Sequence, residues 1–146
     1  MGRYFDDIAV GEVHEFGRYE MTEAEIIDFA RKFDPQSFHI DPVAARKGPF
    51  GGVIASGWHT CAASMSMLVG NVLDEHSLGS PGVDELRWLQ PVRPGDVLRS
   101  RAKVIEARAS KSRPDRGIVK SAFEVLNQKN EVVMTMTAMT IIRRRP

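Results

Sequence analysis

From Gly48 to Leu73 the chain carries no Asp, Glu, Lys or Arg. Twenty-six uncharged residues in a row suit either a membrane span, which needs about 20 apolar residues, or a segment that the rest of the protein surrounds. The residues themselves decide between the two. The stretch holds Ser56, His59, Thr60, Ser64, Ser66 and Asn71, and its middle, ASGWHTCAASMSM, is rich in small residues and poor in Leu and Ile. It is therefore read as a helix within residues 56–73, with its body at about 57–70, packed by protein on every face.

The rest of the chain has a globular composition. Its 146 residues are 42% hydrophobic and 27% charged, with a net charge of +1. A chain of this size buries about two-thirds of its surface, and one domain, 1–146, is expected. The near-zero charge offers no general attraction to nucleic acid or acidic lipid. Cys61 is the only cysteine, which excludes an internal disulfide and a cysteine-rich zinc site. The first residues, MGRYFDDIAVGE, show no basic-then-apolar run. No signal peptide and a cytoplasmic location are therefore expected.

Residues 13–19 read as a strand. A helix starts at Thr22, with Glu25 completing a capping box and Met21 and Ile26 a hydrophobic staple. Ile26, Phe29, Ala30 and Phe33 share one helical face, and Pro35 ends the helix at Asp34. Residues 34–52 read as an irregular loop with a short helical turn at 42–46. After the uncharged helix the period changes to two. Strands are expected at 83–89, 97–106, 118–126 and 132–142. In the second of these Leu98, Ser100, Ala102 and Val104 oppose Arg99, Arg101 and Lys103. Turns are expected at Pro114–Gly117 and Asn127–Asn130. Strands in series at short spacing imply an antiparallel sheet and an α+β class, with the sheet wrapping the long helix.

Chemistry is concentrated in the loop. Asp34 and His39 lie five residues apart, with Pro35 between them. In a loop stiffened by Pro35 and anchored by Phe38, both side chains can converge on one water, as a general acid/base pair does. The competing reading is a turn aspartate and an exposed histidine. Asp41-Pro42 reads as turn chemistry or as the cap of a short helix. Glycines 51, 52 and 57 precede or open the uncharged helix, whose free N–H groups can polarise a thioester carbonyl; tight packing accounts for the same glycines. His59 reads as a core histidine, and nothing supports His14 or His76 as sites. Gly51-Gly52 lacks the Lys-Ser/Thr of a phosphate loop. No His pair at i, i+4 and no Cys cluster is present, so no metal site is expected. Arg143-Arg144-Arg145 reads as a solvated tail, or else as a contact for ligand phosphates.

Three blocks become specific together: DPQSFH at 34–39, PFGGVIASGWH at 49–59 and RWLQPVRPGD at 87–96. In this order and spacing the chain resembles, over nearly its whole length, the MaoC-like acyl dehydratase family, relatives of (R)-specific enoyl-CoA hydratases. The resemblance implies a hot-dog fold, an antiparallel sheet wrapped around one long central helix. It implies a homodimer or a higher even oligomer with sites near the subunit interface. By matching position it makes Asp34 and His39 the catalytic pair and gives the Gly57 N–H to the thioester carbonyl. The expected activity is a hydro-lyase interconverting 2-enoyl and 3-hydroxyacyl thioesters, with coenzyme A as the expected carrier. No cofactor is required, because the thioester itself acidifies C2. The common hydratase form of the first block is Asp-x-Asn-Pro-(Leu/Ile)-His; here Gln36, Ser37 and Phe38 stand in the last three framing positions. Two other readings remain. A hot-dog thioesterase also uses a carboxylate and a helix N-terminus, but does not need a His five residues on. A non-catalytic acyl-thioester-binding module keeps the fold without turnover.

Overall fold

Alternation in the second half of the chain produces three long neighbouring strands. In a computed structural model that describes residues 2–146, β3 (Val97–Ala109), β4 (Arg116–Leu126) and β5 (Val132–Arg143) pair antiparallel. β1 (Val13–Glu20) joins β3 and β2 (Val83–Trp88) joins β5, giving the order β1-β3-β4-β5-β2. The inner face is the one the pattern marks: Leu98, Ser100, Ala102 and Val104 are buried on β3, with Val119, Phe123 and Val125 on β4. Arg101 lies on the outer face, paired to Glu124 at 2.8 Å.

Beside the sheet, the described residues form a 3-10 turn at Phe5–Asp7 and four α-helices: α1 (Glu23–Phe33), α2 (Ser37–Ile40), α3 (Pro42–Lys47) and α4 (Gly57–Leu68). The uncharged stretch supplies α4, which packs against β1 and β3 in the hot-dog arrangement. Met67 and Ala63 lie in the main core with Met21, Ile26, Leu98, Val125 and Met134; Leu68 meets Ala102 and Phe123 in a second cluster. No helix among the described residues is long and apolar enough to cross a membrane.

Several local expectations are corrected. The central helix ends at Leu68, and the chain then turns through Gly70, whose φ of 87° suits glycine. Nor is it packed on every face. Six of its twelve residues are buried, while Trp58, Ala62, Met65 and Ser66 form an open stripe that continues to Val69. Thr22 caps α1 by accepting from the Glu25 N–H at 3.2 Å, but the box is half formed. The Glu25 carboxylate turns instead to the Tyr19 hydroxyl and to His59. Met21 and Ile26 are both fully buried, whereas Phe33 is 68% exposed and packs on Phe29. The 34–52 loop is mostly helical. α2 was not foreseen, since its four residues are too few for a period to show. Asp41 caps α3, accepting from the Val43 and Ala44 N–H groups. The C-terminal arginines are not a free tail: Arg144 pairs with Asp6 at 3.2 Å, and Arg145 pairs with Asp7. They fasten the last strand to the turn at Phe5–Asp7.

Burial on the sheet face predicts a graded response. Leu98 is fully buried, so Leu98→Ala should cost about 2–5 kcal/mol of unfolding free energy. Phe33→Ala should cost under about 1.5 kcal/mol, the worth of one exposed aromatic pair. Urea denaturation of the two variants measures both.

Candidate active site

Asp34 is the C-cap of α1, its N–H bonded to the Ala30 carbonyl at 2.8 Å. Pro35 ends the helix there, and the chain restarts at once as α2, which carries His39. The expectation of an irregular loop is replaced here by a helix end followed by a single helical turn. This geometry brings the two side chains together: His39 Nε2 lies 3.2 Å from Asp34 Oδ2. His39 is buried, with its ring edge-on to Phe38 at 4.4 Å between centroids. The Ile54 carbonyl lies 2.6 Å from His39 Nδ1. A carbonyl only accepts, so Nδ1 carries a proton and Nε2 is the nitrogen presented to Asp34.

Side chains from three places in the chain converge on the Asp34 carboxylate, two of them as hydrogen-bond donors. Gln36 Nε2 donates to Oδ1 at 2.8 Å, and Ser56 Oγ donates to Oδ2 at 2.7 Å. His39 approaches Oδ2 from the third side. Burial pushes the Asp34 carboxyl up, but the Gln36 and Ser56 hydrogen bonds and the imidazole of His39 together outweigh it and hold it below the usual carboxylate range. Gln36 and Ser56 are the site residues that sequence reasoning missed. Ser56 carries a visible signal, a serine directly before the uncharged helix, which marks an N-cap; its bond to a residue 22 positions away leaves no trace in spacing.

Ser56 is the N-cap of α4, its Oγ accepting from the Trp58 N–H at 3.3 Å. Gly57 follows as the first helical residue, and its N–H has no acceptor among the described residues. Gly57 also has a packing reason. A Cβ there would lie 2.3 Å from a ring carbon of Trp88, and the Trp88 Nε1–H donates to the Gly57 carbonyl at 3.0 Å. His39, Gly57, Phe50, Ile54, Thr60 and Trp88 line one groove of about 290 Å³. A larger cavity of about 540 Å³ lies beyond the C-terminal end of α4, against Val69, Leu73, Phe123 and Ile142, and includes neither Asp34 nor His39.

The other histidines sit apart from the groove. His59 is buried with Nε2 2.9 Å from Glu25 Oε1 and its ring stacked on Phe29. The neighbouring Tyr19 phenol is pushed up to about 12, first by its hydrogen bond to Glu25. His14 contacts Glu12, and His76 stacks on Tyr4. No group of three or more His, Cys, Asp or Glu side chains among the described residues is placed to hold a metal.

Comparison with known proteins shows the family and the fold. Residues 7–125 match the family described as MaoC like domain. The chain is 29% identical over 141 residues to the uncharacterized protein YdeM of Bacillus subtilis (strain 168), covering 95% of this chain and 98% of YdeM. Among solved structures, a MaoC-like dehydratase from Rhodospirillum rubrum superposes with a TM-score of 0.92 at 44% identity, covering 99% of each chain. The unliganded R-hydratase PhaJ1 from Pseudomonas aeruginosa superposes with a TM-score of 0.79 at 25% identity, covering 97% of this chain and 86% of that one.

The hydrogen bonds to Asp34 predict a signature in acid. Its carboxyl lies below its ordinary value of 3.8 in the folded chain. The stabilisation it supplies is therefore complete above that value and is lost as pH falls through the depressed one. Urea denaturation stepped from about pH 5 to about pH 2 should show a shallower acid decline in Asp34→Asn than in the wild type.

Proposed function

The chain belongs to the MaoC-like domain family, and on that premise we propose that it is a hydro-lyase interconverting 2-enoyl and 3-hydroxyacyl thioesters, with coenzyme A as the carrier. The observation that supports this most is the 3.2 Å approach of His39 Nε2 to Asp34 Oδ2, beside the N-terminus of α4. Oδ1 accepts one hydrogen bond, from Gln36, and keeps a lone pair for a water. In the hydration direction Asp34 takes a proton from that water as its oxygen bonds to C3. The C2=C3 electron pair moves toward the thioester, and charge gathers on the carbonyl oxygen. The Gly57 N–H, at the positive end of α4, is the group proposed to receive it. His39 orients the water through Nε2, and the Asp34–His39 pair returns the proton to C2. Water is then added in full, and no electron changes hands.

The same reading places the protein in the cytoplasm as a homodimer or a higher even oligomer. β1 and β2 are the open edges of the sheet. Trp58, Met65, Trp88 and Leu89 are all exposed, at 58%, 52%, 45% and 55%. Exposed apolar side chains at an open sheet edge and on the uncovered side of α4 suit an interface. Trp58 and Trp88 pack edge to face at 5.2 Å, and Trp88 and Leu89 also line the groove, so a partner seated there would close it.

Incubation with a panel of 2-enoyl-CoA esters, followed by the loss of enoyl absorbance, tests the activity. Asp34→Asn and His39→Ala should each lower turnover by about 10²–10⁴-fold. The double variant should lose little more, since both side chains act on one water. Near-full hydration by both variants would overturn the mechanism, and release of free thiol by the wild type would mark a thioesterase instead.

Light scattering at micromolar concentration tests the assembly. A dimer or a multiple of one is expected, and Trp88→Ala should weaken it; a monomeric wild type refutes the assembly proposal.

A further inference from the structure

We propose that Ser56 is a positioning residue for Asp34: its hydroxyl, fixed as the N-cap of α4, sets the orientation in which the carboxylate meets its water. The proposal rests on the reading of Asp34 as the base. It begins from the hydrogen-bond capacity of one hydroxyl. Ser56 Oγ has a single proton, and the structure directs it to Asp34 Oδ2 at 2.7 Å. An oxygen lone pair accepts the Trp58 N–H at 3.3 Å, and the side chain is fully buried. Both roles are thus held by one atom with no access to water. Reversing the hydroxyl would leave Oδ2 facing an oxygen lone pair, a repulsive contact that the buried Ser56 oxygen has no water to relieve.

The arrangement couples two helices that the chain separates. Asp34 ends α1, and Ser56 begins α4. The carboxylate is tied through Ser56 to the end of α4 that carries partial positive charge, and that end favours an anion. The same end presents the Gly57 N–H. A shift of Asp34 relative to α4 therefore changes its distance from the place proposed for the thioester. Ser56 holds that separation, while Gln36, which is exposed, steadies only the other carboxylate oxygen. Ser56 touches no reacting atom in this scheme.

Capping and positioning separate by substitution. Glycine is nearly as good an N-cap as serine, whereas alanine is poor. Ser56→Gly should therefore keep most of the cap while removing the donor to Asp34, and should lower the thermal midpoint less than Ser56→Ala does. In Ser56→Gly, kcat on the best enoyl-CoA ester should fall about 10- to 100-fold, the worth of one hydrogen bond to a charged group. KM should stay within about twofold, since the lost contact serves the chemical step rather than substrate binding. The acid limb of the pH–rate profile should move to higher pH, together with the Asp34 carboxyl titration followed by carbon-13 NMR. Ser56→Thr keeps a hydroxyl and should restore the titration, and Ser56→Ala should lose both rate and stability. An Asp34 titration and acid limb unchanged in Ser56→Gly would overturn the proposal, as would a loss of rate that only tracks a loss of stability. Those results, obtained while Asp34→Asn is inactive, reject the role of Ser56 alone. Full activity in Asp34→Asn instead rejects the reading of Asp34 as the base.

Discussion

The structure depends on one constraint: a curved sheet closes on a single helix, and the buried side of that helix has no water with which to solvate a charge. Burying an unpaired ion there is far costlier than burying a methyl group. The stretch from Gly48 to Leu73 accordingly carries no charged residue, although charged residues make up 27% of the chain. Small residues follow from the same requirement. Ala63 and Ser64 are buried on α4 where it faces the sheet, and larger side chains there would push the helix off β1 and β3. Bulk is supplied from the sheet side, by Leu98, Phe123 and Met134.

That packing also fixes the candidate site. Because α4 is held along its length, its first turn is a rigid platform at one end of the sheet. Three separate pieces of chain reach it. Trp88, at the end of β2, lies against Gly57. Asp34, at the end of α1, bonds to Ser56. His39, on α2, is fastened through Nδ1 to the Ile54 carbonyl just before α4. Each attachment has a partner close to the start of α4, so small errors in the placement of α1 or α2 are corrected where accuracy matters to chemistry.

Legibility followed range. All five strands were readable, because alternation is a local pattern and one face of each long strand is buried. The start of α1 was readable from Thr22, and the existence of α4 from the loss of charge. α2 was not, as it is a single turn between Pro35 and Pro42 and owes its form to what surrounds it. The open stripe on α4 was missed for another reason: Trp58 and Met65 look like core residues in any count of hydrophobicity, and only the curvature of the sheet determines which side is covered. In the site, Asp34 and His39 stood out by residue type and by resemblance. Gln36 read as a departure from the family pattern, yet its amide still reaches Asp34 Oδ1. The docking of Arg144 and Arg145 on Asp6 and Asp7 joins the two ends of the chain, and no local pattern encodes such a contact.

The surroundings of Asp34 also imply how the work of catalysis is divided in the proposed reaction. Hydrogen bonds that hold a carboxyl below its usual range make it a weaker base, and by Brønsted reasoning that lowers the driving force for taking a proton from water. The same bonds favour its ionised form and aim it. An arrangement of this kind gains more from position than from basicity, since holding water and substrate in register removes the entropic cost of bringing them together. It suits a substrate that is already activated. A thioester draws electron density from C3 through conjugation, so the attacking water needs alignment more than strong deprotonation, and the charge that develops is met at the carbonyl oxygen rather than at the base. In this view the Gly57 N–H and the Asp34 carboxylate act at opposite ends of one conjugated system. Ser56 and Gly57, adjacent at the start of α4, place one helix terminus in contact with both.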